Sequence, residues 1–252
     1  MWLNSLRRVL SDSPRKNARS RRPAPHWHRS TELRAEALED RLVPSVFNVN
    51  SLADLLNPAP GVVTLRSAIQ QANATPGGNT IDLTIPGTYA ITRLGAPGET
   101  DNAAGELAIL PGGGNLTIQN TSGGAVTVDG SHFARVFDIN PNFDPNNPTP
   151  KFTVTIQGIT IQNGFVTDAN NPDGPNASGG GVRDQGNASL TLLNDLVASN
   201  SASADGGGVS MENTVSVPWT LTVTNSTISN NQAGDAGPAG LRPARATAAV
   251  RS

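Results

Sequence analysis

Five aspartates along the middle of the chain have side chains suited to acid–base work: Asp129, Asp138, Asp184, Asp195 and Asp205, with Arg135 and Arg183 as the cations that would accompany them. Hydrolysis of a glycosidic bond needs two carboxylates facing each other across ~5–10 Å, one to donate a proton and one to act as base or nucleophile. A lyase reaction on an acidic sugar needs Ca²⁺ ligands and a basic residue instead. Asp129 stands in Val-Asp-Gly-Ser, the composition of a turn that ends a strand, and Asp205 precedes three glycines. Asp184 and Asp195 each stand alone in their segments, and no Asp-Asp or Asp-x-x-Asp pair falls on a strand-like stretch. Arg135 and His132 are the basic groups near Asp129. Asp129, Arg135 and Asp184 remain as catalytic candidates, and the absence of paired acids favours a structural role for all three.

The oxygen-rich stretch Asp168-Ala-Asn-Asn-Pro-Asp-Gly174 offers Asp168, Asn170 and Asp173 as ligands, and Ca²⁺ is the cation they would take. Its spacing departs from an EF-hand: Pro172 falls where a ligand is due, and no glutamate closes the loop. His26, Trp27 and His28 resemble part of a metal site but have no partner ligands nearby. Two copies of Gly-Gly-Gly-Val, at 179–182 and 206–209, invite a phosphate-cradling reading. No Lys-Ser/Thr follows either copy and no helix begins there, so the glycines read as turns or close approaches of backbone. None of these motifs calls for a cofactor.

The elements that must position these residues are strands, and one pattern is written three times between Lys151 and Gln232. It runs Phe152-Thr-Val-Thr-Ile-Gln-Gly-Ile-Thr-Ile-Gln-Asn-Gly164, then Ser189-Leu-Thr-Leu-Leu-Asn-Asp-Leu-Val-Ala-Ser-Asn200, then Thr220-Leu-Thr-Val-Thr-Asn-Ser-Thr-Ile-Ser-Asn-Asn231. Apolar and polar residues alternate, the period of a half-buried strand. Setting Val154, Leu190 and Leu221 in register gives steps of 36 and 31 residues, and Leu116 extends the register backwards by 38. Steps of this size mark a unit that buries its apolar face only against a stacked neighbour. Gly158, Asn194 and Asn225 fall at a shared bend, and Asn163, Asn200 and Asn231 at a shared turn, where stacked amides would form an asparagine ladder.

These repeats resemble the polymorphic outer-membrane-protein type, in which a Gly-Gly-hydrophobic element alternates with an Asn-bearing strand. More broadly they are similar to right-handed parallel β-helix proteins of the pectin-lyase-like class. Upstream, Val62-Val-Thr-Leu-Arg-Ser-Ala-Ile-Gln-Gln-Ala-Asn resembles the CSLREAI-type segment that opens many bacterial surface β-helices, without its usual Cys and with Ser67 in place of the usual Glu. The resemblance covers roughly residues 46–235. It implies an all-β fold, a right-handed single-stranded parallel β-helix with an N-terminal capping helix, and a fold class that holds polysaccharide lyases and hydrolases as well as non-catalytic proteins.

Composition agrees with a narrow interior. Hydrophobic residues make up 36% and aromatics 4% of 252 residues, less bulk than a globular α/β enzyme carries, and the 26 glycines and 19 prolines suit a chain of many turns. The absence of cysteine excludes disulfides and thiolate metal sites. The net charge of −2 hides an asymmetry: ten bases oppose five acids before Pro44, whereas fifteen acids oppose five bases from Ser45 to Asp235. Nucleic acid is therefore no partner for the acidic body.

Three segments follow. Residues 1–44 are basic and mostly without periodicity, so disorder is expected, with a short helix over 31–44 that ends at Pro44. Its Leu38-Glu-Asp-Arg-Leu-Val-Pro44 resembles an N-terminal motif of large bacterial cell-surface proteins and implies export or sorting. Arg7-Arg8 and Arg21-Arg22 lack the apolar run of a secretory signal, and no stretch is apolar enough to cross a membrane as a helix. Residues 45–235 form the repeat domain, opened by an amphipathic helix at 64–74 with Leu65, Ala68, Ile69 and Ala72 on one face and Thr64 at its start. Residues 236–252 read as a disordered or truncated tail. The expected function is a non-catalytic secreted or cell-surface module, structural or adhesive, whose partner class is extracellular polysaccharide or other surface proteins. A polysaccharide lyase or glycoside hydrolase is the alternative.

Overall fold

A computed structural model describes residues 44–95, 100–167, 177–212, 220–234 and 244–249. All lie in the compact unit Arg41–Ser252. The expected helix over 31–44, the basic head and the candidate ligands Asp168, Asn170 and Asp173 fall outside the described residues.

The chain opens with β1 (Ser45–Val49), α1 (Leu65–Ala74), β2 (Asn79–Leu83), β3 (Gly87–Ala90) and β4 (Leu107–Ile109). A second pass gives β5 (Leu116–Asn120), β6 (Val126–Asp129) and β7 (Phe137–Ile139). A third gives β8 (Phe152–Gln157), β9 (Thr160–Gln162), β10 (Phe165–Val166) and β11 (Val182–Asp184), and a fourth gives β12 (Ala188–Leu193), β13 (Leu196–Ala198), β14 (Ser201–Ala202) and β15 (Val209–Met211). Last come β16 (Leu221–Thr224), β17 (Thr227–Ala233) and β18 (Ala244–Ala249).

These strands build three sheets, ordered β1-β2-β5-β8-β12-β16, β10-β14-β17-β13-β9-β6-β3 and β15-β11-β7-β4. The first four passes visit the first, second and third sheet in turn, β16 to β18 reach the first and second, and every pairing is parallel except that of β18 with β17. Repeats 31–38 residues apart thus lie side by side. Leu116, Val154, Leu190 and Leu221 occupy one row, as their spacing predicts. In β8 and β12 alternate residues are buried, and Val154, Ile156, Leu190 and Leu192 are wholly excluded from solvent. One continuous apolar cluster runs from Val49 through Ile81, Ile118, Ile156 and Leu192 to Val197.

Helix α1 lies at the end where β1, β3 and β4 are terminal strands, and packs on β1, β2 and β4. Leu65, Ala68, Ile69 and Ala72 join the core, as the stripe predicts. Thr64 caps it: its Oγ1 accepts from the Ser67 N–H at 3.2 Å, and the Thr64 N–H donates to Ser67 Oγ at 2.9 Å. The capping box is therefore complete, with a serine hydroxyl doing at Ser67 what a glutamate does elsewhere.

Two expectations need correcting. The asparagine ladder is offset by one residue in the third pass: the pairing of Phe165 with Ser201 and of Ser201 with Gln232 aligns Gly164, Asn200 and Asn231, leaving Asn163 beside Ser199 and Asn230 in the left-handed region. Asn200 Oδ1 accepts from the Gly164 N–H at 2.8 Å, and its Nδ2 donates to Asn231 Oδ1 at 3.0 Å. No side chain fits at Gly164, whose Cβ would collide with the Gly180 carbonyl. The stretch read as a disordered or truncated tail contains β18, which runs antiparallel on β17. An unpaired strand edge offers free N–H and C=O groups, and a run of small residues without acids is able to take them.

Candidate functional site

The charged residues meet on the third sheet. Its register sets Ala108, Asp138, Arg183 and Ser210 in one row, so residues far apart in sequence become neighbours. Asp138 Oδ2 accepts from Arg135 Nη1 at 2.7 Å and from Arg183 Nη2 at 2.6 Å, while Oδ1 accepts from Arg183 Nε at 3.0 Å. One carboxylate is thus clamped between two guanidiniums, bidentately by Arg183. Arg135 also donates through Nε and Nη2 to the Ser178 carbonyl at 3.2 and 3.1 Å, and through Nε to that of Gly179 at 3.2 Å. All three side chains are buried.

Glu106, just before β4, joins this cluster. Its Oε1 lies 3.7 Å from Arg135 Nη1 and takes no hydrogen bond among the described residues. Burial pushes its carboxyl up to about 7; the charge of Asp138 adds to the rise, and Arg135 opposes it. Asp184 is likewise pushed up to about 7 by burial, against a hydrogen bond from the Gly186 N–H at 2.9 Å and with the charges of Asp138 and Glu212 adding to the rise. Nothing in the local sequence marks Glu106: it opens a Leu-Ala-Ile strand, and only the pairing of β4 with β7 brings it to Asp138. The signal available was the register itself, carried one sheet further than the Leu and Val rows.

The candidates named from sequence separate. Asp184 and Arg135 belong to the buried cluster, so Asp184 does not stand alone. Asp129 is elsewhere, at the end of β6, and Arg135 turns away from it to Asp138. Asp129 Oδ1 accepts from the Ser131 N–H at 2.7 Å, and Oδ2 accepts from Gln162 Nε2 at 2.9 Å and Asn163 Nδ2 at 2.8 Å. Asp195 is buried in the turn between β12 and β13 and is raised to about 7 by burial, against N–H donation from Ile159 at 2.8 Å and Leu193 at 2.9 Å. The Asp205 backbone joins the glycine turns, accepting from the Gly179 N–H at 3.0 Å.

A second buried pair anchors α1. Arg66 Nε donates to Asp54 Oδ1 at 2.6 Å, and its Nη2 to the Gly105 carbonyl at 2.7 Å. A cavity of about 210 Å³ is lined by Gly206, Gly207, Gly208, Val209, Leu221, Ile228, Asn231 and Ala233, and none of the candidate carboxylates reaches it. Among the described residues no group of three His, Cys, Asp or Glu side chains is placed to hold a metal ion, and no helix is long and apolar enough to cross a membrane. The arrangement therefore offers carboxyls with raised pKa values, but in the interior. No protein family, curated protein or solved structure matches the chain.

Proposed function

We propose that residues 45–235 form a right-handed parallel β-helix of the pectin-lyase-like kind, exported to the cell surface, where it serves as a non-catalytic structural or adhesive module. The fixed visiting order of the three sheets and the unbroken rows of Leu, Val and Ile support the architecture. The observation that carries the function is where the acids go: Asp129, Asp138, Asp184 and Asp195 all accept hydrogen bonds from their own or adjoining repeats. A hydrolase must keep its acid and base within reach of a bound sugar. Here Asp129, Asp138 and Asp195 tie neighbouring repeats together.

The test is a screen of the purified chain for turnover of acidic and neutral polysaccharides, with and without Ca²⁺. No turnover is expected. Turnover abolished by Asp184→Asn or Asp129→Asn in a chain that still folds would sink the module reading and assign a lyase or hydrolase.

A further inference from the structure

The outward face of the first sheet carries a row of threonines through five successive strands: Thr80, Thr117, Thr155, Thr191 and Thr222 are register partners in β2, β5, β8, β12 and β16. The flanking inward rows vary, from Leu116 through Val154 to Leu221 on one side and from Ile81 to Val223 on the other. Thr153 and Ser189, also partners, extend the hydroxyls into a second row, with the Thr220 N–H donating to Ser189 Oγ at 3.4 Å. With strands ~4.8 Å apart the five-threonine row is about 19 Å long, and the two hydroxyls of the second row stand ~6.8 Å from it.

Strand propensity accounts for threonine at any one of these positions but serves valine or isoleucine equally well. Exposed sheet faces and edges commonly carry charge that discourages association. In a body of fifteen acids and five bases, the one ionisable group on the outward positions of β2, β5, β8, β12 and β16 is Asp82, and Gln119 Nε2 donates to it at 2.7 Å. None of the five threonine hydroxyls is engaged by another described residue. Helix α1 packs its apolar stripe on the inward side.

Apart from Asp82 at its edge the face carries no charge, and such a face is complementary to an uncharged, periodic partner. The outward positions hold no aromatic ring on which a sugar would stack. Each threonine presents a methyl beside a hydroxyl on a β-branched side chain with few rotamers, so the row is ordered before contact and loses little entropy on binding. A methyl that cages water next to a hydroxyl that bonds it, repeated every ~4.8 Å along the row, suits an ordered water lattice. We infer that this face adsorbs to ice. The inference rests on the surface-module reading for its exposure to the outside of the cell.

The experiment uses the full chain, fluorescently labelled, and measures its partition into slowly growing polycrystalline ice beside a labelled serum albumin control. The chain is expected to enrich in ice. Thr155→Tyr, a ring raised from the centre of the row, is expected to lower that partition at least about tenfold, equivalent to ~1.4 kcal/mol. Thr160→Tyr, on the second sheet, should leave it unchanged. If Thr155→Tyr fails to fold, Thr155→Ser removes the methyl alone and is expected to reduce partition. Exclusion of the folded wild-type chain from ice overturns the inference, as does an equal loss in Thr160→Tyr. Retention on insoluble cellulose or chitin that Thr155→Tyr abolishes, without ice partition, overturns it in favour of a polysaccharide. Any of these results leaves the module reading standing, because only turnover that depends on Asp184 or Asp129 removes it.

Discussion

Glu106 and Asp184 are acids whose protonation is set by where the fold puts them. Their ordinary values are 4.5 and 3.8, and both rise to about 7 in the folded chain. Between those limits the folded chain holds protons that the unfolded chain has released, so the stability these groups contribute is full at acidic pH and is lost as pH rises toward and through 7. Urea unfolding at a series of pH values from 5 to 8 is expected to show falling stability. Glu106→Gln cannot ionise, so it should flatten that slope and, at pH 8, match or exceed the wild type by on the order of 1 kcal/mol. A slope unchanged in both Glu106→Gln and Asp184→Asn would show that neither carboxyl holds a proton in the folded state.

At the scale of elements, α1 depends on one side chain that its helical pattern does not explain. Arg66 is 1% exposed, yet it bonds Asp54 and the carbonyls of Asn102, Gly105 and Glu106. Arg66→Ala would leave Asp54 buried without its cation, and breaking a buried pair from one side costs about 3–5 kcal/mol. Thermal and urea unfolding of Arg66→Ala should show a loss in that range, whereas Gln70→Ala, on the exposed face, should change stability little. The helix, the strand alternation and the Leu116-Val154-Leu190-Leu221 register were legible because each rests on local period and on steps between copies. Glu106 beside Asp138 was not, because no local pattern records a contact between residues on different passes. The asparagine ladder was read one residue out of place at Asn163, since either residue of Asn163-Gly164 suits a turn and only the crowding at Gly164 decides between them. β18 was missed for a similar reason: its strand rests on the edge that β17 offers, and its Ala-Arg-Ala-Thr-Ala alternation carries no large apolar residue.

For the molecule as a whole, stability in a chain of side-by-side repeats is a sum of each repeat and its contacts with its neighbours, so position along the sheet sets the cost of the same mutation. Leu190 and Leu221 are register partners of the same residue type. Leu190 is 0% exposed, with β8 on one side and β16 on the other, whereas Leu221 is 39% exposed in β16, the last strand of its sheet. Leu190→Ala removes a side chain packed from both directions and is expected to cost about 2–5 kcal/mol. Leu221→Ala loses contacts from one direction only and should cost less than half as much. Urea unfolding of the two variants tests this, and hydrogen exchange should agree, with β16 amides exchanging faster than those of β8 and β12. Equal costs would mean that the face beyond β16 is covered as fully as the interior. The apolar cavity between Val209, Leu221 and Ile228 would then be a filled part of the core.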